Sequence, residues 1–313
     1  MVKFEEFYFD SRDKVTKIHA VKWIPKGEIK CVVQIVHGMA EHIERYGEFA
    51  KYLASEGILV VGNDHLGHGK TANTEDELGY FCEQDGATVL VRDVHRLKKI
   101  VQEQNIGKPY FICGHSMGSL ILRSYITRYG KGIDGAVIVG TAASRNFLTK
   151  SGIFITGFMA KFFGWKHKSK LVNQVLFGHY NDRIPDRKSP NEWICSNEKI
   201  LEEYNHDDKC GFIFTLNGFR ELSRLTAAVN KKENLAKIPK DLPVYMLSGT
   251  EDPVGGYGEG VREVYETYIL SGLTDIEMKL YEGDRHEILN EGDRYQVYED
   301  IYHWILKQIE KRG

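Results

Sequence analysis

Pro109-Tyr110-Phe111-Ile112-Cys113-Gly114-His115-Ser116-Met117-Gly118-Ser119-Leu120-Ile121-Leu122-Arg123 decides how the rest of this 313-residue chain is read. An apolar, strand-like run leads into Gly114-His115-Ser116-Met117-Gly118, and a helix-like run leaves it. A serine at such a strand-to-helix turn has its hydroxyl thrust out of the fold. The flanking glycines lack Cβ atoms, so the chain turns tightly and the helix packs close behind it. The helix N-terminus beneath Ser116 favours negative charge developing beside the hydroxyl. The stretch therefore predicts a nucleophilic serine, against the plainer possibility of a small-residue turn.

Working outward, apolar strands and amphipathic helices alternate. Phe4, Phe7 and Phe9, then Ile18, Ala20, Val21 and Trp23, predict an antiparallel pair. Cys31 to Val36 is a short apolar run suited to a strand buried on both faces. Tyr46 to Glu56 predicts a helix that Gly57 ends. Ile58 to Val61 is the next strand, then come a helix over Ala87 to Glu103, the Pro109 strand, the helix to Tyr129 and a strand from Gly135 to Gly140. From about Ala143 to Leu242 the alternation stops and the pattern is helical. It resumes with strands over Pro243 to Gly249 and Ile276 to Tyr281 and helices over Val261 to Leu270 and Gln296 to Ile309. The expectation is an α/β protein whose mostly parallel, doubly wound sheet is formed by residues 1–142 and 243–313. The interruption is too long for a loop and predicts a helical cap over 143–242.

Composition narrows the function. Basic and acidic residues nearly balance, 42 against 44, which leaves no nucleic-acid footprint. Five scattered cysteines without a C-x-x-C argue against a disulfide framework and against zinc. The N-terminus has no apolar signal region, and no run of about 18 apolar residues occurs. A cytoplasmic protein is expected. Gly255-Gly256-Tyr257-Gly258-Glu259-Gly260 lacks the dinucleotide-binding spacing and a Walker lysine, so no cofactor is expected.

A serine hydroxyl needs a base in reach and an acid to orient the base. Asp252 and His286 each follow a strand within a Gly-rich loop, in the order Ser, Asp, His that suits this architecture. Glu251 is the competing acid. His303 falls in the last helix and reads as a packing residue, His206 lies in the cap, and His115 should point away from Ser116. Two backbone amides are expected to receive the oxyanion: that of Met117, after the nucleophile, and that of Met39, in the loop after the Cys31 strand. Asp64-His65-Leu66-Gly67-His68 looks like a metal cluster on paper but reads better as a hydrogen-bonded turn.

Together the pieces resemble the monoacylglycerol lipase and bacterial lysophospholipase branch of the α/β-hydrolase superfamily. They are His37-Gly38-Met39-Ala40-Glu41-His42 with Arg45-Tyr46, Asp64-His65-Leu66-Gly67-His68-Gly69, the Ser116 pentapeptide, Cys210-Gly211-Phe212-Ile213-Phe214-Thr215, Asp252-Pro253-Val254-Gly255 and Arg285-His286-Glu287-Ile288-Leu289-Asn290-Glu291. One departure is Ser119, where the branch usually carries a glycine. The resemblance implies the α/β-hydrolase fold with a cap inserted before the strand that carries the acid. It also implies the triad Ser116, Asp252, His286 and the Met39/Met117 oxyanion hole. By the same resemblance the substrates are monoacylglycerols or lysophospholipids, with small esters and proline-type peptides as alternatives; a non-catalytic binding protein on this fold is the alternative that an incomplete triad would favour, and here every triad position is filled. A peptidase would need acids to hold an amino terminus, for which Glu202-Glu203 are candidates, although adjacent acids suit an exposed helix face. Phe158, Phe162 and Phe163, with Phe154 and Trp165, are expected to line an acyl channel or meet a lipid surface; the alternative is that they pack the cap onto the core.

Overall fold

The computed structural model describes residues 1–143, 146–185 and 187–312, and for 146–149 the backbone alone. Ser144 and Arg145, at the start of the expected cap, and Asp186 within it lie outside the described residues.

The strands are β1 (Lys3–Asp10), β2 (Lys17–Ile24), β3 (Cys31–Val36), β4 (Ile58–Asn63), β5 (Tyr110–His115), β6 (Gly135–Val139), β7 (Val244–Gly249) and β8 (Ile276–Tyr281). They form one eight-stranded sheet in the order β1-β2-β4-β3-β5-β6-β7-β8. The β1–β2 and β2–β4 pairs are antiparallel, and every pair from β4 through β3 to β8 is parallel. The helices that cover the sheet are α1 (Gly47–Ser55), α2 (Gly86–Gln104), α3 (Met117–Tyr129), α9 (Glu259–Leu270) and α10 (Arg294–Glu310), and further helices are inserted between β6 and β7.

The strand sequences explain the layering. Alternate side chains point to opposite faces. Val32, Ile112, Ile138 and Met246 join α2, α3 and α9 in one core. Val33, Phe111, Val137 and Leu247 join α1 and α10 in the other. Both faces of the central strands are thus apolar, and the strands read as continuous runs because neither face meets water. The chain leaves β3 toward β4 on one side, and β5 lies on the other. That reversal opens a crevice beyond the carboxyl ends of β3 and β5.

The inserted helices are α4 (Asn146–Phe163), α5 (Lys170–Phe177), α6 (Glu198–His206), α7 (Leu216–Val229) and α8 (Lys232–Leu235). Asn197 and Thr215 cap α6 and α7 with side-chain acceptors. α4 packs on α7. The stripe it buries is built from small side chains, with Gly152 and Thr156 buried and Ala160 against the core. Among the described residues no helix is long and apolar enough to cross a membrane.

Candidate active site

The site is built on the loops that follow four parallel strands. Ser116 follows β5, its amide donating to Val139 O at 3.0 Å. Its backbone is strained, with φ 54° and ψ −119°, a conformation that persists only where the surroundings enforce it. They do so through the glycines. A Cβ on Gly118 would run into the Val36 carbonyl, and one on Gly114 would lie 2.5 Å from Gly118 O. Ser119, the departure noted in the sequence, is fully buried and donates its hydroxyl to Ser116 O at 2.6 Å. It therefore supports the turn it interrupts in composition.

Asp252 follows β7 and His286 follows β8, and the fold brings them together. His286 Nδ1 donates to Asp252 Oδ1 at 3.0 Å. The carboxylate also accepts from Val254 N at 2.8 Å and from the Ser248 hydroxyl at 3.0 Å. Burial works to raise the Asp252 pKa, but the His286 charge and these hydrogen bonds outweigh it and hold it below the usual carboxylate value. The opposite ring nitrogen, His286 Nε2, is buried and has no hydrogen-bond partner among the described residues. It lines the same cavity as Ser116. Glu251, by contrast, is exposed, and so are His303 and His206; His303 is a surface residue rather than the packing residue its neighbours suggest.

Met39 and Met117 both border the cavity. Met117 opens α3, where the first amides have no intrahelical acceptor. Around Met39 the neighbouring amides are already engaged: Gly38 N donates to Glu41 Oε1 at 2.6 Å and Ala40 N to His68 Nε2 at 3.3 Å. Asp64 serves as an acceptor for three segments, from His19 Nδ1 at 2.8 Å, Lys70 N at 2.8 Å and Ile43 N at 2.9 Å. Burial drives His65 and His68 toward the neutral form, His68 down to about 3.

Beneath these loops lies a buried ionic network for which the sequence offered no role. Arg45 donates to both carboxylate oxygens of Glu287 at 2.7 Å and to Glu41 Oε2 at 2.7 Å. Glu41 Oε1 accepts from the Tyr46 hydroxyl at 2.8 Å. His115 faces the same carboxylate at 3.4 Å, and its Nε2 donates to His286 O at 3.2 Å. Burial opposes the charge on His115, but its hydrogen bond and attraction to Glu41 prevail and raise its pKa. One network thus joins the Met39 loop to the His286 loop. The only sequence signal was that charged residues sit inside turns flanked by buried strands.

The inserted segment completes the walls. Trp193 packs its ring 5.2 Å from that of His286, Glu287 N donates to Ile194 O at 2.7 Å, and Arg285 donates to Glu192 O at 2.6 Å. The cavity, half open to solvent, is about 900 Å³, with Leu120, Leu176, Phe177 and Leu222 among its apolar walls and Asn173, Asn181 and Asn191 among its polar ones. Phe158, Phe162 and Phe163 are not part of this lining. They are 55%, 71% and 61% exposed, as is Phe154, which corrects the expectation of an acyl channel there. The reason is the small-residue stripe of α4: α7 approaches over Gly152, Thr156 and Ala160, and the aromatic side chains are left on the opposite face. Glu202 and Glu203 lie on an exposed face of α6.

A doubly wound sheet with helices inserted after β6 and a serine at the β5–α3 turn places the molecule among the serine hydrolases of the α/β-hydrolase fold. Comparison with known proteins agrees. The family described as Serine aminopeptidase, S33, matches residues 27–293. Human monoglyceride lipase is 36% identical over 302 residues, covering 93% of this chain and 87% of that protein. Monoacylglycerol lipase of Mycolicibacterium smegmatis is 25% identical over 292 residues, covering 92% of each. The crystal structure of a thermostable carboxyl esterase from Bacillus coagulans in complex with glycerol matches with a TM-score of 0.92 at 31% identity, covering 99% of this chain and 100% of that one. The chain belongs to this family, in the monoacylglycerol lipase branch of the α/β-hydrolase superfamily.

Proposed function

We propose that the chain hydrolyses carboxylic esters of lipid-like alcohols, a monoacylglycerol or a lysophospholipid, through an acyl-enzyme on Ser116. The observation that carries this reading is the unpartnered His286 Nε2, buried beside the Ser116 cavity while Asp252 holds the other ring nitrogen. In this mechanism Ser116 Oγ attacks the ester carbonyl as His286 Nε2 takes its proton. Asp252 stays ionised and steadies the imidazolium. The Met39 and Met117 amides receive the oxyanion. The proton then passes to the departing alcohol, and water repeats the sequence in reverse order to release the acid.

Residues 143–242 act as the cap, over a core of 1–142 and 243–313. The acyl chain takes the apolar walls near Leu176 and Phe177, and the asparagines receive the hydroxyl-bearing alcohol. The exposed phenylalanines of α4, with Leu171 and Val175 of α5 and Lys150, Lys161 and Lys170 at their margins, suit brief contact with the surface of a lipid aggregate. The free thiols support a reducing, cytoplasmic setting. The test is a hydrolysis panel of monoacylglycerols, lysophospholipids, p-nitrophenyl esters of graded length and proline amides, run on wild type and Ser116→Ala. Ester turnover that Ser116→Ala abolishes is expected. Proline amides cleaved faster than every ester would overturn the substrate class.

A further inference from the structure

Outside the cavity, three side chains of different chemistry converge where the inserted segment meets the Met39 loop. His42, Asp207 and Cys210 each present one ligand atom, all within 4.8 Å of one another. Although the spacing of the cysteines in the sequence argues against zinc, we propose that these three side chains form a site for a borderline divalent cation of the zinc type, which ties the inserted segment to the loop bearing Met39.

Imidazole, carboxylate and thiolate are the donors zinc prefers, and three of them leave a fourth position for water. Ligand atoms about 2.0–2.3 Å from a tetrahedral ion stand about 3.3–3.8 Å apart. His42 Nε2 and Asp207 Oδ2, now hydrogen-bonded at 2.8 Å, must part slightly, and the thiol, within 4.8 Å of both, must draw in. The turn is already shaped for this: Cys210 N donates to Asp207 O at 2.9 Å and Lys209 N to Asp207 Oδ1 at 2.8 Å. The ion has a way in, because the His42 and Asp207 side chains are 13% and 35% exposed.

The charges nearby favour a cation. Arg45 is the buried positive group, and it is committed to Glu41 and Glu287. Those two carboxylates and Asp207 outnumber it, with the Lys209 side chain acting from the solvent side. The second group of similar composition, Glu6, His19 and Glu44, differs: the Lys70 ammonium bonds both carboxylates and already supplies the cation. The position of the first site gives it leverage. Gly211 N, one residue beyond Cys210, donates to Ala40 O at 2.9 Å, and the Tyr204 hydroxyl donates to the same carbonyl at 3.1 Å. An ion would replace the third tie at this seam, the His42–Asp207 hydrogen bond, with bonds to one metal, two residues from the bond between Ala40 N and His68.

On binding, the His42–Asp207 hydrogen bond is exchanged for one bond from each residue to the ion. The His42 ring, which donates from Nε2 in that hydrogen bond, gives this proton up to solvent and takes one at Nδ1, so that the Nε2 lone pair is free for the ion, and the Cys210 thiol releases its proton to solvent as the metal–sulfur bond forms. No electron is transferred.

The experiment uses chelator-treated full-length protein whose Ser116 has been blocked with a fluorophosphonate, titrated with cobalt(II) and then with zinc(II). One equivalent of cobalt should bind with a thiolate-to-metal charge-transfer band, and zinc should displace it and raise the melting temperature. Cys210→Ser should abolish the band, and Cys210→Ser and His42→Gln should each weaken zinc binding at least about tenfold, since even outer partners of a bound metal are worth that much. Asp207→Asn gives an independent reading should either variant fail to fold. Absence of stoichiometric binding, or binding that all three substitutions leave unchanged, overturns the proposal.

Discussion

The β5–α3 turn and helix α4 are the two most conspicuous stretches in the sequence, and the structure treats them in opposite ways. At the turn the residues beside the serine are fixed by close approaches: Gly118 lies against the Val36 carbonyl and Ser119 donates to Ser116 O. On α4 the small residues are fixed and the phenylalanines are not, so Phe158 and Phe162 meet edge to face at 5.3 Å and face outward. Where geometry admits few residue types, identity reports position. Where it asks only for apolar surface, identity reports amount and not direction.

The sharpest way to break this comparison is at the turn. Ser116→Ala and Asp252→Asn are expected to lower kcat by on the order of 10³–10⁶, and combining them should cost little more because the residues act as a unit. Glu251→Gln, on an exposed side chain next to Asp252, should change kcat by less than about threefold, since surface substitutions are usually near neutral. Steady-state hydrolysis of a soluble ester measures all three. A Glu251→Gln loss larger than that of Asp252→Asn would reassign the acid.

The network under the site should give the next largest effect. Arg45→Leu leaves Glu41 and Glu287 buried without their shared cation, an arrangement that costs about 3–5 kcal/mol where it has been measured. Urea unfolding checks the loss. An Arg45→Leu variant as stable as wild type would show that the two loops hold their positions without the network.

The same network predicts a pH window. Burial would raise the Glu41 pKa, but its hydrogen bond to His115 and the charges of Arg45 and His115 hold it well below the ordinary value. Its stabilisation is complete above the unfolded carboxylate pKa and is lost as pH falls through the lowered folded value. His115 is raised, so its share is complete below the unfolded histidine pKa and is lost as pH rises through the folded one. Stability should therefore fall off on both flanks, with the alkaline loss starting above about 6.5. Thermal melts of wild type and His115→Gln against pH test this: the variant should lack the alkaline limb.

These cases also mark how far the sequence could be read. The strands were legible because β3 to β7 are buried on both faces and admit little but apolar residues. Ser116, Asp252 and His286 were legible as candidates because each follows a strand in a Gly-rich loop, and the fold places Asp252 against His286. Glu41, Arg45 and Glu287 were not, since Arg45 and Glu287 lie 242 positions apart in the chain and no local pattern announces a long-range ion pair. Trp193 was hidden for a similar reason: its packing against His286 depends on how the inserted segment lies over the sheet.

The smallest expected effect lies on α4, and it divides two roles the sequence could not separate. Phe158→Ser and Phe162→Ser remove exposed rings that do not line the cavity. Stability should therefore move by no more than about 0.5 kcal/mol, and hydrolysis of a short soluble ester should stay within about twofold of wild type. The increase of kcat/KM with acyl length, about fourfold per CH₂ from about 0.8 kcal/mol of burial, should also persist in both. It should flatten in Leu176→Ser, which places a hydroxyl in the cavity wall. Substrate held in vesicles should separate the variants from wild type, because the rings then have an apolar phase to enter. A flattened chain-length series for Phe158→Ser on monomeric esters would mean that α4 turns its aromatic face over the cavity during turnover, and the contrast between the two regions would then belong to the resting state alone.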